Sequence, residues 1–481
     1  MATTASSPQR KMGFLIDGRW HEEGEPFEVR SPFDGSVAGR TYRSNNHHLE
    51  AAIGAAVRAF ETTRRIPAHE RRRVLMAIAD GISRKAAEFS TTMAMEAGKP
   101  IKAAKAEVER AILTFTIAAE ESVRIGGDWL PLDRVAAGAG RAAIVRRFPI
   151  GPVAAITPFN FPLNLVAHKV APAIAAGCSV VQKPSPHTPL CSLMLAELVE
   201  QAGWPAGALN VLSLSNDDAV KMARDERFKL LSFTGSAVVG WELKRDAGKK
   251  RVTLELGGNA ACIVHSDADL DHAAERIAAG GFSYAGQSCI SAQRIFVERS
   301  VERQFVDKLL ARVSALKVGD PLDAATDVGP LINEDAVSRV SQWVAEAVSG
   351  GAEVLAGGKR NGMFYEPTVL THTSLKMKVN CEEIFGPVVV VEPYENFPEA
   401  LRRANDTRFG LQTGVFTRDT ALLFSAYEEL EVGGVISNDV SSFRIDHMPY
   451  GGVKDSGFGR EGLRNAIEDM TEPRLLVLHA H

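Results

Sequence analysis

Between residues 153 and 264 the chain repeats one unit: a short apolar run, a brief turn, then a helix-length stretch. VAAI (153–156) precedes such a stretch near 163–176, and VVQ (180–182) precedes one near 189–202. LLSF (230–233) leads into 237–246, and TLEL (253–256) runs on into ACIV (261–264), after which Asp267 and Asp269 are candidate helix caps. Strands that are apolar at every position are buried on both faces, and crossover helices make them parallel. The alternation resumes after about 295, through FVERSVERQFVDKLLARVSAL and later EVL, VVVVEPY and GVFT. This predicts two α/β domains meeting close to residue 256. Ahead of them, 49–60, 69–89 and 103–122 read as helices, and in the second Val74, Leu75, Ile78 and Ile82 share one face.

A chain of 481 residues is long enough to bury two such cores. Its net charge of −4 offers no basic surface for nucleic acid. The opening MATTASSPQRKMGF lacks the apolar run of a secretory signal, and no stretch is long and apolar enough to span a bilayer. The expected setting is therefore the cytoplasm, with neither a membrane nor a nucleic acid as partner. Five cysteines, at 178, 191, 262, 289 and 381, are odd in number and widely spaced, and no CxxC or HExxH occurs. Neither a disulfide framework nor a metal site is supported.

Cys178, after APAIAAG, and Cys262, within AACIV, read as packed thiols. Cys289 differs, because GGFSYAGQSCISAQR (280–294) gives it small, polar neighbours. A thiol in such a place is set to be reached rather than buried. Other signals are modest one by one. FTGSAVVG (233–240) sets Gly235, Ser236 and Gly240 between a strand and a helix, either as a simple tight turn or as a phosphate cradle. TPFNFP (157–162) frames Asn160 with aromatics and prolines, either as a turn residue or as an aimed amide donor. QKPSP (182–186) puts Lys183 at a strand end, either solvated or facing a ligand. ELGG (255–258) leaves Glu255 among apolar neighbours, either paired with a cation or desolvated with its pKa raised, as suits a general base. EEIFGP (382–387) and MPYGGVKDSGFGREG (448–462) have the turn residues and embedded charge of binding loops.

Taken together and in this order, TPFNFP, FTGS, LELGGN, GQSC, EEIFGP and PYGGVKDSGFGRE resemble the NAD(P)-dependent aldehyde dehydrogenase superfamily over nearly the whole chain. Cys289 follows Glu255 by 34 positions, which is the family's spacing. The resemblance implies a Rossmann-like cofactor domain (1–125 and 150–255), an α/β catalytic domain (256–445) and a small β oligomerisation arm (126–149 and 463–481). It implies Cys289 as nucleophile, Asn160 with the Cys289 backbone N–H as oxyanion site, and Glu255 as the base that hydrolyses the thioester. Lys183 would hold the adenosine ribose, Ser236 and Gly235 would face the pyrophosphate, and Glu383 and Phe385 would position the nicotinamide ribose and ring. Thr157, Pro158, Phe159, Ser185, Pro186, Gly240 and Leu256 complete the implied cofactor site. A homodimer or homotetramer is implied, and no metal.

FRIDHMPYGG and the EVERA helix resemble the branch that handles lactaldehyde, glyceraldehyde 3-phosphate without phosphorolysis, and phosphonoacetaldehyde. Several phosphate-using members carry Arg just before the cysteine; here it is Ser288, which argues against a doubly charged substrate. Arg110, Phe161, Ser288 and Arg444 are candidates for a small polar or singly anionic aldehyde, against the alternative of two solvated arginines. NAD-preferring members place Glu three residues after the lysine; here it is Pro186, so dual use of NAD and NADP is expected. Two other readings compete: an enzyme that releases its thioester to coenzyme A, and a catalytically silent binding paralogue. Glu255 at its expected place speaks against the first, and the intact Cys289, Glu255, Asn160 and Lys183 set against the second.

Overall fold

A computed structural model describes residues 10–479. The first nine residues, most of the segment read as carrying no leader, lie outside them, as do the last two of the arm. Two twisted sheets dominate. The first has eight strands in the spatial order 457–458, 251–255, 230–234, 153–156, 180–183, 209–211, 14–16, 19–21. Its five central strands run parallel, and antiparallel pairs occur only toward its edges. Every residue of Val153–Ile156, Val180–Lys183 and Leu230–Thr234 is buried, which is why these strands read as mainly apolar runs.

From Val153–Ile156 the chain winds outward one way through 180–183 and 209–211, then returns to lay 230–234 on the other side. That reversal opens a crevice at the carboxyl ends of strands 153–156 and 230–234, the place where doubly wound sheets bind ligands. TPFNFP follows the first of these strands and the Gly235 turn the second.

The second sheet has seven strands in the order 353–356, 368–371, 388–394, 292–298, 260–264, 412–416, 434–437, parallel except for its first pair. TLEL and ACIV are thus not one run. The strand Arg251–Glu255 closes in the first sheet, and Ala260–Val264 opens in the second. A third, three-stranded antiparallel sheet pairs Arg141–Pro149 with Gly127–Pro131 and with Thr471–His479. Its terminal edge strand exposes Leu475, Leu476, Val477 and Leu478.

Some sequence expectations are corrected. The helix expected over 69–89 is two, Ala68–Arg84 and Ala86–Ala97, because the backbone leaves helical geometry at Lys85. The segment 463–481, expected to be arm throughout, begins with the helix Leu463–Asp469, whose Leu463 and Ile467 pack into the core of the first sheet. Asp269 caps the helix Leu270–Phe282, whereas Asp267 accepts hydrogen bonds from Thr417 and Arg418. Cys178 and Cys262 are fully buried. Among the described residues, no helix is long and apolar enough to cross a membrane, and no group of three or more His, Cys, Asp or Glu could hold a metal.

Candidate active site

A cavity of about 230 Å³ lies where the carboxyl ends of the first sheet face the amino ends of the second. From the first come Pro158, Phe159, Asn160, Phe161, Gly235, Ser236, Glu255 and Leu256; from the second come Ser288, Cys289, Glu383 and Phe385. Arg110 reaches in from the helix Ile101–Ser122 and Arg444 from the loop after strand 434–437. Thr157, Lys183, Ser185, Pro186 and Gly240 stand outside these walls. Thr157 and Lys183 are joined by a backbone hydrogen bond at the ends of adjacent strands.

Cys289 sits on a loop held in an unusual path. Tyr284, Ala285 and Gly286 are consecutive left-handed residues, with φ of 51°, 54° and 68°. Each non-glycine in that region costs about 1–3 kcal/mol, so the surroundings must impose it. They do so through Gln287, which is fully buried: its amide donates to Tyr284 O and Pro330 O and accepts from Ile332 N–H. A side chain at Gly286 would lie 2.2 Å from the Gly386 carbonyl, so the cysteine loop and the EEIFGP loop interlock. Gln287 therefore shapes the loop, while Cys289 is half-buried on the cavity wall. Burial pushes its thiol up to about 11, against the Tyr450 hydroxyl, which lowers it.

The Asn160 loop is anchored from below by a buried pair, Lys99 and Glu107. Lys99 Nζ donates to Asn160 O at 2.9 Å, and Glu107 accepts from Leu163 N–H and Asn164 N–H. The Asn160 amide nitrogen donates to Gln287 O at 3.0 Å, joining the two loops across the cavity. A primary amide has two such hydrogens, which leaves one for a ligand.

Glu255 is 3 % exposed, and neither carboxylate oxygen has a hydrogen-bond partner among the described residues. Burial and then the charge of Glu461 push its pKa well up, against Arg444, Lys169 and Arg460. The raised, desolvated carboxyl expected from the sequence is found, and the paired alternative is not. Glu461 shows the opposite outcome. Burial pushes it up as well, but Lys169, His168 and Arg444 outweigh that and hold it at about 2.

Neither arginine stands unpaired in solvent. Arg444 is 7 % exposed and donates to Glu461 at 3.0 Å, with its guanidinium 3.6 Å from the centre of the Tyr450 ring. Arg110, 27 % exposed, grips Asp446 through Nε and Nη2 at 3.2 and 2.7 Å. Asp446 also accepts from Asn164 and contacts His168 Nε2 at 2.8 Å. Burial lifts Asp446, but His168 and Arg110 hold it well below the usual carboxylate range.

Thr234 Oγ1 is buried in the cavity wall without a hydrogen-bond partner among the described residues. Ser236 begins the helix Ala237–Asp246 yet makes no side-chain cap, which leaves its hydroxyl and the first amides free for an anion. A side chain at Gly257 would lie 2.1 Å from Glu383 Oε2, while Gly258 N–H donates to Glu383 at 3.1 Å. Burial pushes Glu383 up to about 7. Lys183 Nζ donates to Asn216 Oδ1 at 2.7 Å, and burial lowers its pKa to about 8. A buried ammonium with a neutral partner is ready for a hydroxyl or a phosphate. These donors and cradles suit a dinucleotide.

Sequence reasoning missed Tyr450, Glu461, Lys169, Asp446 and the Lys99–Glu107 pair. Tyr450 and Glu461 stood inside a loop noted for binding, and Asp446 and Glu107 inside FRIDHMPYGG and EVERA, which pointed to a branch of the family and not to these side chains; Lys99 and Lys169 gave no local signal.

Comparison with known proteins places the whole chain. The aldehyde dehydrogenase family model matches residues 20–476. The 3-sulfolactaldehyde dehydrogenase of Priestia aryabhattai is 43% identical over 99% of this chain and 100% of its own. The crystal structure of aldehyde dehydrogenase 21 from Physcomitrella patens, in complex with the reaction product succinate, has a TM-score of 0.96 and 44% identity, covering 98% of this chain and 99% of that one. Glyceraldehyde-3-phosphate dehydrogenase from Methanocaldococcus jannaschii, complexed with NADP, has a TM-score of 0.91 and 38% identity, covering 96% and 100%. The chain belongs to the aldehyde dehydrogenase family and is an NAD(P)-dependent enzyme of it.

Proposed function

We propose that this enzyme oxidises a small, singly anionic aldehyde to its acid through a covalent adduct on Cys289. The observation that carries the proposal is one cavity lined by the half-buried Cys289 sulfur and by the partnerless carboxylate of Glu255. The Cys289 thiolate adds to the aldehyde carbon, and the resulting oxyanion takes the free N–H of Asn160 and the Cys289 backbone N–H. A nicotinamide held there would supply the two-electron oxidation as a hydride acceptor. Ser236 with the first amides of its helix would hold the pyrophosphate, Lys183 the adenosine ribose or its 2′-phosphate, and Glu383 the nicotinamide ribose. Glu255 then takes a proton from water, which attacks the thioester, releases the acid and frees the sulfur. A buried carboxyl with a raised pKa is a stronger base than an exposed one, which suits it to this step.

The substrate's charge is inferred from the far wall. Arg110 and Arg444 both line the cavity with Phe161. The Priestia relative is named for a sulfonated aldehyde, and the Physcomitrella structure holds a dicarboxylate product; each such aldehyde carries a single anionic group. Ser288, in place of a third arginine, matches one charge rather than two. Water rather than coenzyme A is assigned as acyl acceptor because Glu255 is in place. The exposed apolar edge strand Thr471–His479 is assigned to contact between copies in a homodimer or homotetramer.

The test is a panel of succinate semialdehyde, 3-sulfolactaldehyde, lactaldehyde and propanal with each cofactor, followed by absorbance of the reduced nicotinamide. Quenched samples are weighed intact for an acyl adduct on Cys289. The anionic aldehydes should exceed propanal in kcat/KM by at least about tenfold, equivalent to 1.4 kcal/mol. Equal values would remove the charge assignment, and turnover that requires an added thiol would replace water by coenzyme A.

A further inference from the structure

The Cys289 sulfur shares its wall of the cavity with a hydroxyl. Tyr450 Oη lies 3.1 Å from Cys289 Sγ and has no other hydrogen-bond partner among the described residues. The two side chains pack in a small apolar cluster with Ile290 and Leu411. The tyrosine is fixed from behind. Its backbone exchanges hydrogen bonds of 2.8 and 2.6 Å with Glu461, and the Arg444 guanidinium, itself held by Glu461, lies 3.6 Å from the ring centre.

While the sulfur carries its proton, either atom of this contact can donate. Once it is ionised the sulfur has no hydrogen to give, so the hydroxyl must be the donor. The bond is then charge-assisted, roughly twice as strong as a neutral one. The charged and titratable groups facing the sulfur divide by sign: Glu255 and Glu383 oppose its ionisation, Arg444 and the Tyr450 hydroxyl favour it. Burial opposes it more than either carboxylate. A thiolate opposed by burial and by two carboxylates therefore depends on the hydroxyl donor and on the cation behind it.

We propose that Tyr450 is a catalytic residue whose hydroxyl donates a hydrogen bond to the Cys289 thiolate, and that Arg444 is a positioning residue that holds and polarises this tyrosine through its ring face. The proposal rests on Cys289 being the nucleophile. It gives Arg444 a second duty, since the cation offered to an anionic substrate is also coupled to the attacking sulfur.

The test reads the sulfur directly. The enzyme is alkylated with iodoacetamide across a pH series, and modification of Cys289 is followed by peptide mass. The thiolate forms a carbon–sulfur bond and displaces iodide, and the thiol proton goes to buffer. Tyr450→Phe keeps the ring beneath Arg444 and removes only the hydroxyl. It should move the midpoint upward by about one pH unit, so that alkylation below the midpoint slows about tenfold. Arg444→Lys keeps the charge but loses the planar stack, and should move the midpoint in the same direction by less. A Tyr450→Phe profile that overlays the wild type, or shifts downward, overturns the proposal. If that variant does not fold, an unmoved Arg444→Lys profile overturns it instead. Turnover by Cys289→Ala would defeat the nucleophile assignment, whereas the alkylation profile reads the contact whether or not the enzyme turns over.

Discussion

The two parallel sheets are built alike and used at opposite ends. The first presents its carboxyl ends to the cavity, with TPFNFP after strand 153–156, the Gly235 turn after 230–234 and Glu255 at the close of 251–255. The second presents its amino ends, with Gly257 and Gly258 before 260–264, Cys289 before 292–298 and Glu383 before 388–394. The rule that ligands bind at carboxyl ends near a reversal of strand order locates the first half unaided. It is silent about the second. There, loops entering the strands are held by buried polar side chains such as Gln287, and by left-handed backbone at Tyr284, Ala285 and Phe385. One sheet supplies a general binding crevice, and the other supplies the cysteine proposed as nucleophile, whose placement has to be enforced.

That contrast can be broken at several points. Cys289→Ala should have the largest effect, lowering turnover by about 10⁴-fold or more because the covalent route is lost. Cofactor affinity, measured by quenching of nicotinamide fluorescence, should stay unchanged, since the groups proposed to hold the dinucleotide sit mainly on the other sheet. Near-normal activity would show that the second sheet does not carry the nucleophile. Glu255→Gln, at the end of the first sheet, should slow the steady state by about 10²–10⁴-fold. It should also leave a stoichiometric burst of reduced cofactor and an accumulated acyl-enzyme, and absence of both would take Glu255 out of deacylation.

Arg110→Leu tests a wall that belongs to neither sheet. It should raise KM for succinate semialdehyde by about 10–100-fold, in line with about 1.5–3 kcal/mol for a charged hydrogen bond. KM for propanal should barely move, and equal effects on both would mean that Arg110 serves only Asp446. The smallest effect concerns the cofactor end of the first sheet. The wild type should use NADP and NAD with kcat/KM within about tenfold, or 1.4 kcal/mol, and Pro186→Glu should shift it toward NAD by adding a carboxylate that repels a 2′-phosphate. Because Lys183 has its pKa lowered to about 8, it is charged below that pH and neutral above it. Affinity for NADP should therefore fall more steeply than affinity for NAD as pH rises past 8. Parallel pH profiles for the two cofactors would separate Lys183 from the 2′-phosphate.

Most central strands of both sheets were legible because burial on both faces writes a mainly apolar run, but Leu209–Val211, although buried and parallel, is only three residues long and was missed. The edges were not. Phe14–Ile16 and Gly457–Phe458 join the first sheet from far along the chain, and each is too short to show a pattern. Within the site, Cys289, Glu255 and Asn160 stood out because each is a reactive or polar group in an odd local setting. The ionic frame did not, because its partners are remote: His168 meets Asp446 across 278 positions, and Lys169 meets Glu461 across 292. Arg444 looked like a loop arginine, and only the fold shows that it is enclosed.

The two large sheets are joined by four residues, Leu256 to Asn259, with Glu255 on one side and the second sheet beginning on the other. The chain crosses back once, between Tyr450 and Gly457, to lay its last short strand against Arg251–Glu255. Recombination between relatives therefore has two natural seams, one at 256–259 and one at 451–456. A gene spliced at both would take its dinucleotide preference from one parent and its sulfur loop from the other. Arg110 would travel with the first parent and Arg444 with the second, so aldehyde choice would be inherited from both.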